Sequence, residues 1–349
     1  MSRVLIPSDN LDYVPWLADA YARRGFEVVT GVQNFFHSWA KFDIVHHVWG
    51  EELTNWKVPD EKELARVRES AERWAKTANV IFWVNNLYPH GDEVTKRFWK
   101  LNQILYETAS LIVHLSKSAE QMALKEWPIG KEKPNLVGKE LAYLELRPLQ
   151  RPDRQQLRRE LGFAPGDLVV LVFGGLRFWG EVQLIMEAFA GTKAPNKRML
   201  VVARYNDRAE QGRLRRRYLE MRWRRWLKSN DCVAITEYVP DADISGYFEA
   251  ADVAIVPRLH DNSSGVVGMA LTFGTLLIVP NHGAFPDYIE GTGNLLYESG
   301  DAPSLAGAID RAASIDRARI SEENRRLADT LTWDNFVDAC LKALGTMRP

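Results

Sequence analysis

The sharpest alternation of apolar and polar segments lies between Ala251 and Ile289. Val253 to Val256 is an unbroken apolar run that predicts a buried strand, closed by Pro257. Arg258 to Ser264 is polar and reads as a loop. From Gly265 the apolar residues recur at helical spacing as far as Gly274, and Leu276 to Val279 predicts a second buried strand ending at Pro280. Strand, loop, helix, strand is half of a doubly wound α/β unit, in which ligands gather outside the carboxyl ends of the strands. Ser263, Ser264 and Gly265 would then open a helix whose first amides lack intrahelical partners. Such amides suit an anion such as a phosphate, and the Asn262-Ser263-Ser264 run equally suits an ordinary helix cap.

The same alternation runs through the rest of the chain. Arg3 to Pro7 predicts a strand, followed by a loop from Ser8 to Tyr13 and a helix through Arg24, closed by Gly25. Phe26 to Thr30 and Asp43 to Trp49 predict two more strands. Asp60 to Thr77 is charged but places Leu64, Val67, Ala71 and Trp74 on one helical face. Strands follow at Val80 to Val84 and at Leu111 to Leu115, the latter between helices. Leu146 to Asp153, with Pro148 and Pro152, reads as a linker, and then the pattern restarts. A helix over Gln155 to Leu161 precedes a strand over Leu168 to Phe173, a Gly174-Gly175 turn and a helix through Phe189. Met199 to Ala203 and Cys232 to Ile235 predict further strands, and Trp333 to Leu344 a last helix. The expected fold is α/β: two Rossmann-like lobes, residues 1–148 and 149–330, each with a largely parallel sheet, and a terminal helix within 331–349. A cleft between lobes is a favoured place for a ligand.

Composition narrows the function. The 349 residues are 46% hydrophobic and 26% charged, as in ordinary globular proteins, and the net charge of −1 sets up no field for nucleic acid. Cys232 and Cys340 lack metal spacing and fit a reducing compartment. Met1-Ser2-Arg3 leads straight into a strand, and no apolar run approaches the roughly 20 residues of a membrane span. The expectation is a cytoplasmic protein whose membrane contact, if any, is peripheral and at the inner face. Arg213 to Lys228 is the most basic stretch, with Leu214, Tyr218, Leu219, Met221, Trp223 and Trp226 at helical spacing. It reads either as a sheet-packing helix with a solvated arginine face or as a patch for anionic lipid or a partner. His46 and His47, adjacent in a strand, would point to opposite faces, and with His90 they give no zinc spacing. No metal or other cofactor is expected.

Taken together, several of these segments resemble a known family. Val170 to Gly180, Glu187-Ala188-Phe189, Tyr238 to Ile244, Tyr247 to Val253, Ser264 to Gly274, Gly283 to Asp287 and Gly293 to Tyr297 are similar, in order and spacing, to the retaining glycosyltransferases of GT-B type, specifically family four. Asp43 to His46 and Asn86 to His90 are similar to stretches of bacterial polysaccharide-assembling members. The resemblance implies two Rossmann-like domains facing across a cleft, with the C-terminal helix crossing back to the first. It implies a hexosyltransferase-class enzyme that takes a UDP- or GDP-sugar as donor, without metal. The acceptor would be a hydroxyl of a glycan, a lipid-linked molecule or a small molecule.

The donor residues follow position by position. Arg177, after Gly175, matches the diphosphate-binding arginine, a role suited to a guanidinium that can bond two oxygens at once. Asp261 matches the first acid of a Glu-x7-Glu motif that holds sugar hydroxyls. Tyr238 and Val239 match the turn at the nucleotide base, and Ser263, Ser264, Gly265 and Val266 the helix start at the phosphates. Arg204 and Arg258, at strand ends, are further phosphate candidates, and His260 and His282 lie on the same rim. On the acceptor side stand Asn10, His46, Asn85, Asn86 and His90, with His46 equally suited to a structural role at its strand end. Three positions depart from the pattern: Met269 replaces the second acid, Gly180 a phosphate-binding lysine and Asn85 a histidine. These departures leave two rival readings, a non-catalytic binding or scaffold protein of the same fold and a sugar-nucleotide epimerase or phosphorylase.

Overall fold

The structure, a computed structural model, describes residues 2–9, 13–37, 39–85, 87, 96–138, 141–148, 152–205 and 212–346. It divides into two compact units, residues 1–139 together with 331–349, and residues 140–330.

The first unit is built on six parallel strands, β1 (Arg3–Ile6), β2 (Glu27–Thr30), β3 (Ile44–His47), β4 (Asn79–Val84), β5 (Leu111–His114) and β6 (Asn135–Val137), in the order β2-β1-β3-β4-β5-β6. The runs of Val, Ile and Leu in the inner strands β1, β3, β4 and β5 are buried on both faces, as a sheet covered by helices on both sides requires, whereas the edge strands β2 and β6 are half-buried to exposed. Helix Glu61–Thr77 begins at a full capping box: Asp60 Oδ1 accepts the Glu63 amide at 2.8 Å, and Glu63 Oε2 accepts the Asp60 amide at 3.0 Å. Its Leu64, Val67, Ala71 and Trp74 join Leu5, Val45, Phe82 and Ile112 in one core. Helix Trp333–Ala343, the last in the chain, belongs to this unit. Arg24 binds it by donating to Asp334 and Asp338, each at 2.5 Å, and Phe336 packs on Trp83 with ring centroids 4.7 Å apart. The strand expected over Asp43 to Trp49 stops at His47, and a 3-10 turn follows at Gly50–Thr54.

The second unit holds β7 (Leu168–Leu176), β8 (Lys197–Tyr205), β9 (Val233–Ile235), β10 (Val253–Ile255), β11 (Leu276–Pro280) and β12 (Leu295–Tyr297), again all parallel, in the order β12-β11-β10-β7-β8-β9. The chain steps outward from β7 to β8 and β9. It then returns to the opposite side of β7 at β10 and steps outward again. The strand order therefore reverses between β7 and β10, and in sheets of this kind the crevice outside the carboxyl ends of the two strands at such a reversal is where ligands bind. One expectation is corrected here. Gly174 and Gly175 do not form a turn after Phe173 but continue β7, with Gly175 opposite Arg204 of β8. Gly174 does so at a φ of +89°, a conformation open to glycine and costly to a residue with a Cβ.

Candidate donor site

The crevice between β7 and β10 is lined by four charged side chains. Arg177 follows the last residue of β7, and its Nη1 donates to Oδ2 of Asp261, in the loop after β10. Asp261 is enclosed, with 1% of its side chain exposed, whereas 20% of the Arg177 side chain reaches solvent. Beneath them Arg258, 3% exposed, donates from Nη1 to Glu181 Oε1 at 3.0 Å and to the Gly175 carbonyl at 2.9 Å. Its Nε lies 3.6 Å from the same Asp261 oxygen. Glu181 has no exposed surface, and its Oε2 accepts the backbone amide of Arg177 at 2.6 Å and that of Phe178 at 3.4 Å. Two guanidinium groups thus face two carboxylates. Buried charges persist only when paired and hydrogen-bonded in this way.

Helix Gly265–Phe273 starts beside this cluster. A Cβ on Gly174 would sit 3.7 Å from Cγ2 of Val266, so the end of β7 lies in contact with the first turn of that helix. Ser264 occupies the cap position but makes no side-chain capping bond among the described residues, so the plain N-cap expected of Asn262-Ser263-Ser264 does not form. The amides of Gly265 and Val266 belong to the set that a helix start leaves without intrahelical partners. The helix is pinned from its other side by residues 141–143. The Tyr143 amide donates to Thr272 Oγ1 at 2.8 Å, and Gly268 leaves room where a Cβ would meet the Leu141 carbonyl oxygen at 2.4 Å.

Two loops close around Asp261. His282 Nε2 lies 3.0 Å from the Asp261 carbonyl oxygen, which can only accept, so that nitrogen carries the proton. Burial lowers the His282 pKa, with the bond to Asp261 opposing the shift. Gly283, at a φ of +57°, comes so close to Asn262 that a Cβ would lie 2.8 Å from its Cα. His260 stacks edge-on against Phe178, with centroids 5.6 Å apart. At Gly180, where the resemblance implies a lysine, Leu259 covers the start of helix Trp179–Gly191; a Cβ there would be 2.8 Å from Leu259 Cδ1. Met269 is half-buried within helix Gly265–Phe273.

The remaining candidates separate into groups. Arg204 lies opposite Gly175 on β8, and its Nε donates to the Thr236 carbonyl at 2.6 Å. Tyr238 is 75% exposed and Val239 half-buried, just beyond β9 on the same edge of the sheet. Arg258 needs correction as a ligand contact, because its guanidinium is enclosed and already bonded to Glu181 and Gly175. It supplies positive charge from below. In the first unit His46 needs the same correction. Its ring is fully buried, with Nδ1 2.9 Å from the Tyr21 hydroxyl, so it is a core group and not an acceptor contact. Asn85 is half-buried and donates to the Val48 carbonyl at 2.7 Å. Asn10, Asn86 and His90 lie outside the described residues.

Glu181 escaped the sequence reading. Its only signal was its place four residues after Arg177, three after the cap position of a helix, where an acid ordinarily caps in solvent. Among the described residues no cluster of three or more His, Cys, Asp or Glu is placed to hold a metal ion, and no helix is long and apolar enough to cross a membrane.

Comparison with known proteins places this site in context. Residues 167–314 match the family model of the glycosyl transferases group 1. The chain is 26% identical over 331 residues to the D-inositol 3-phosphate glycosyltransferases of Mycobacterium marinum and Mycobacterium ulcerans. That alignment covers 87% of this chain and 64% of each relative, so the chain spans under two thirds of their length. Its fold is shared with the Anabaena protein HepE, solved with UDP-glucose, at a TM-score of 0.73 and 14% identity over 99% of this chain and 100% of that one. Sucrose-phosphate synthase of Thermosynechococcus elongatus gives 0.69 at 15% identity, over 98% and 97%.

Proposed function

We propose, for a chain of GT-B fold whose second unit carries a family-four-like group 1 glycosyl transferase domain, that it transfers a sugar from a nucleotide-sugar donor to an acceptor hydroxyl. The observation that carries this reading is that Arg177 pairs with Asp261, four residues before helix Gly265–Phe273, while Gly174 near the end of β7 lies against Val266 in that helix's first turn, where the strand order reverses between β7 and β10. A diphosphate there would be held by a planar cation and by the amides of Gly265 and Val266. The donor is a UDP- or GDP-sugar. UDP comes first to test, because HepE was solved with it.

The reaction we assign proceeds with retention at the anomeric carbon. The bond from that carbon to the diphosphate oxygen breaks, and the acceptor oxygen bonds to the same face. The acceptor proton passes to a phosphate oxygen of the departing nucleotide. No enzymatic nucleophile enters, so catalysis rests on positioning and on stabilising the charge of the leaving group. Arg177 and the helix amides hold that charge, Asp261 turns to the sugar hydroxyls, and Tyr238 and Val239 face the base with Arg204 nearby. The acceptor falls to the first unit, with Asn85 and the neighbouring Asn86 and His90. D-inositol 3-phosphate, named for the mycobacterial relatives, is the first acceptor to try. No metal is assigned a part, and glycan assembly is the setting we infer.

A thermal-shift panel of UDP, GDP and ADP followed by product mass analysis tests the reading. A nucleotide at about 100 times its dissociation constant should stabilise the protein by about 2.7 kcal/mol. A new glycoside should appear only when donor and acceptor are both present. A shift without product would favour the non-catalytic reading. Donor converted in the absence of acceptor would favour the epimerase, and donor split by inorganic phosphate the phosphorylase.

A further inference from the structure

We propose that the outward face of helix Arg213–Ser229 docks the protein on an anionic lipid bilayer. This helix has two faces with different work. Leu219, Trp223 and Leu227 are 5%, 2% and 4% exposed, and Trp223 and Leu227 join the core of the second unit, where Trp223 stacks on Trp226 at 5.4 Å. At 3.6 residues per turn the opposite side carries Leu214, Tyr218, Met221, Arg225 and Lys228. Those three apolar residues are 83%, 57% and 44% exposed. The sequence offered two alternatives, a sheet-packing helix with a solvated arginine face and a patch for anionic lipid or a partner; the packed face is present, and the exposed apolar residues carry the second reading.

Charge decides what the outer face fits. The segment carries seven arginines and one lysine against a single acid, Glu220, in a chain whose net charge is −1. Glu220 is taken by Arg224 at 2.7 Å, and Arg222 lies over the Trp179 ring at 5.4 Å. Arg215, Arg217, Arg225 and Lys228 are exposed around the apolar stripe. A polyanion such as RNA would use the cations but leave Leu214 and Met221 in water. A bilayer interface uses both parts. The apolar side chains enter the acyl boundary, while the arginines lay their stems along it and meet lipid phosphates. This surface does not depend on the sugar-transfer reading.

The test is flotation of the full chain with vesicles of phosphatidylcholine alone and of phosphatidylcholine mixed equally with phosphatidylglycerol. Binding is expected to the mixed vesicles only and to weaken with salt. Arg217→Glu combined with Arg225→Glu should lower the partition coefficient about tenfold or more. Leu214→Ser, Tyr218→Ser and Met221→Ser together should lower it comparably. Because all five positions are exposed, the melting temperatures should stay at that of the parent, and a parent-like melting curve is required of each variant. No binding to mixed vesicles would overturn the proposal, as would equal binding to neutral ones. So would a triple serine variant that binds like the parent and is displaced by a single-stranded RNA oligonucleotide, since the face would then be a nucleic-acid surface.

Discussion

Arg177 and Asp261, 84 residues apart in the chain, are joined as an ion pair across the crevice between β7 and β10. With Arg258 and Glu181 beneath them the cluster is balanced, two cations against two carboxylates. A diphosphate entering this crevice therefore competes with Asp261 for the Arg177 guanidinium. On the proposed reading, donor binding is an exchange of one anion for another, and the carboxylate released is the one proposed for the sugar hydroxyls.

The first consequence concerns Arg177 itself. Arg177→Ala should lower nucleotide affinity and kcat/KM at least about tenfold, the scale of a lost charge-assisted bond of about 1.5–3 kcal/mol. Arg177→Lys should recover only part of this, because an ammonium cannot bond two oxygens in one plane. Titration calorimetry with UDP checks both. Unchanged affinity in Arg177→Ala would remove the residue from the site.

Asp261→Asn separates holding from catalysis. Without the competing carboxylate, Arg177 is released to phosphate, so UDP should bind more tightly, by roughly the few-fold to tenfold that one such bond supports. Sugar transfer should nevertheless fall at least tenfold. Calorimetry and initial rates on the same variant read the two effects. Affinity and rate falling together would show that Asp261 does not compete for Arg177.

Glu181 is a stability residue with a functional consequence. Glu181→Ala leaves the enclosed Arg258 without its hydrogen-bonded carboxylate and with only Asp261, 3.6 Å from its Nε, as a counter-charge among the described residues, and breaking a buried pair costs up to about 3–5 kcal/mol. It also frees the Arg177 amide, which Glu181 accepts at 2.6 Å. Urea unfolding should show the loss, and Glu181→Gln should lose less because it keeps an acceptor. A change under about 1 kcal/mol in Glu181→Ala would contradict the assignment.

The first unit predicts a pH dependence. Burial lowers the pKa of both His46 and His47 to about 3, with the neighbouring His47 adding to the shift at His46. The unfolded chain, with ordinary values near 6.5, binds more protons between those limits. The stabilising effect of keeping both rings neutral is therefore complete above about pH 6.5. It is lost as the pH falls towards 3, with a slope of up to about 1.4 kcal/mol per pH unit for each ring. Neither His47 ring nitrogen finds a hydrogen-bond partner among the described residues, and the ring packs edge-on against Phe35 at 5.1 Å. His47→Phe should accordingly flatten the acid limb while costing little at neutral pH. Unfolding midpoints at pH 5 and pH 7.5 compare the two proteins, and parallel slopes would refute the account.

Much of the fold was legible because its strands are short apolar runs bounded by Pro and Gly, as at Val253–Ile255 and Leu276–Pro280. The pattern failed where burial is partial. β6 and β12, of three residues each and with half-exposed positions, were not anticipated as strands, whereas β9, equally short, was. Legibility of the site was uneven for a different reason. Periodicity reports which face of an element is buried, but not which distant side chain meets it. Arg258 therefore read as a strand-end cation open to phosphate, although Glu181, 77 residues away, holds it in the interior. His46 read as a strand-end histidine, although Tyr21 and Phe336 enclose it. Arg177, Asp261 and the start of helix Gly265–Phe273 do lie together, because the β7 and β10 ends adjoin at the reversal of strand order.

The most direct measurement is a crystal structure of the chain soaked with UDP. Both phosphates should lie at the β7–β10 crevice, within hydrogen-bond reach of the Arg177 guanidinium and the Gly265 and Val266 amides. Asp261 should have moved off Arg177. A diphosphate bound elsewhere, with the Arg177–Asp261 pair intact, would contradict the account.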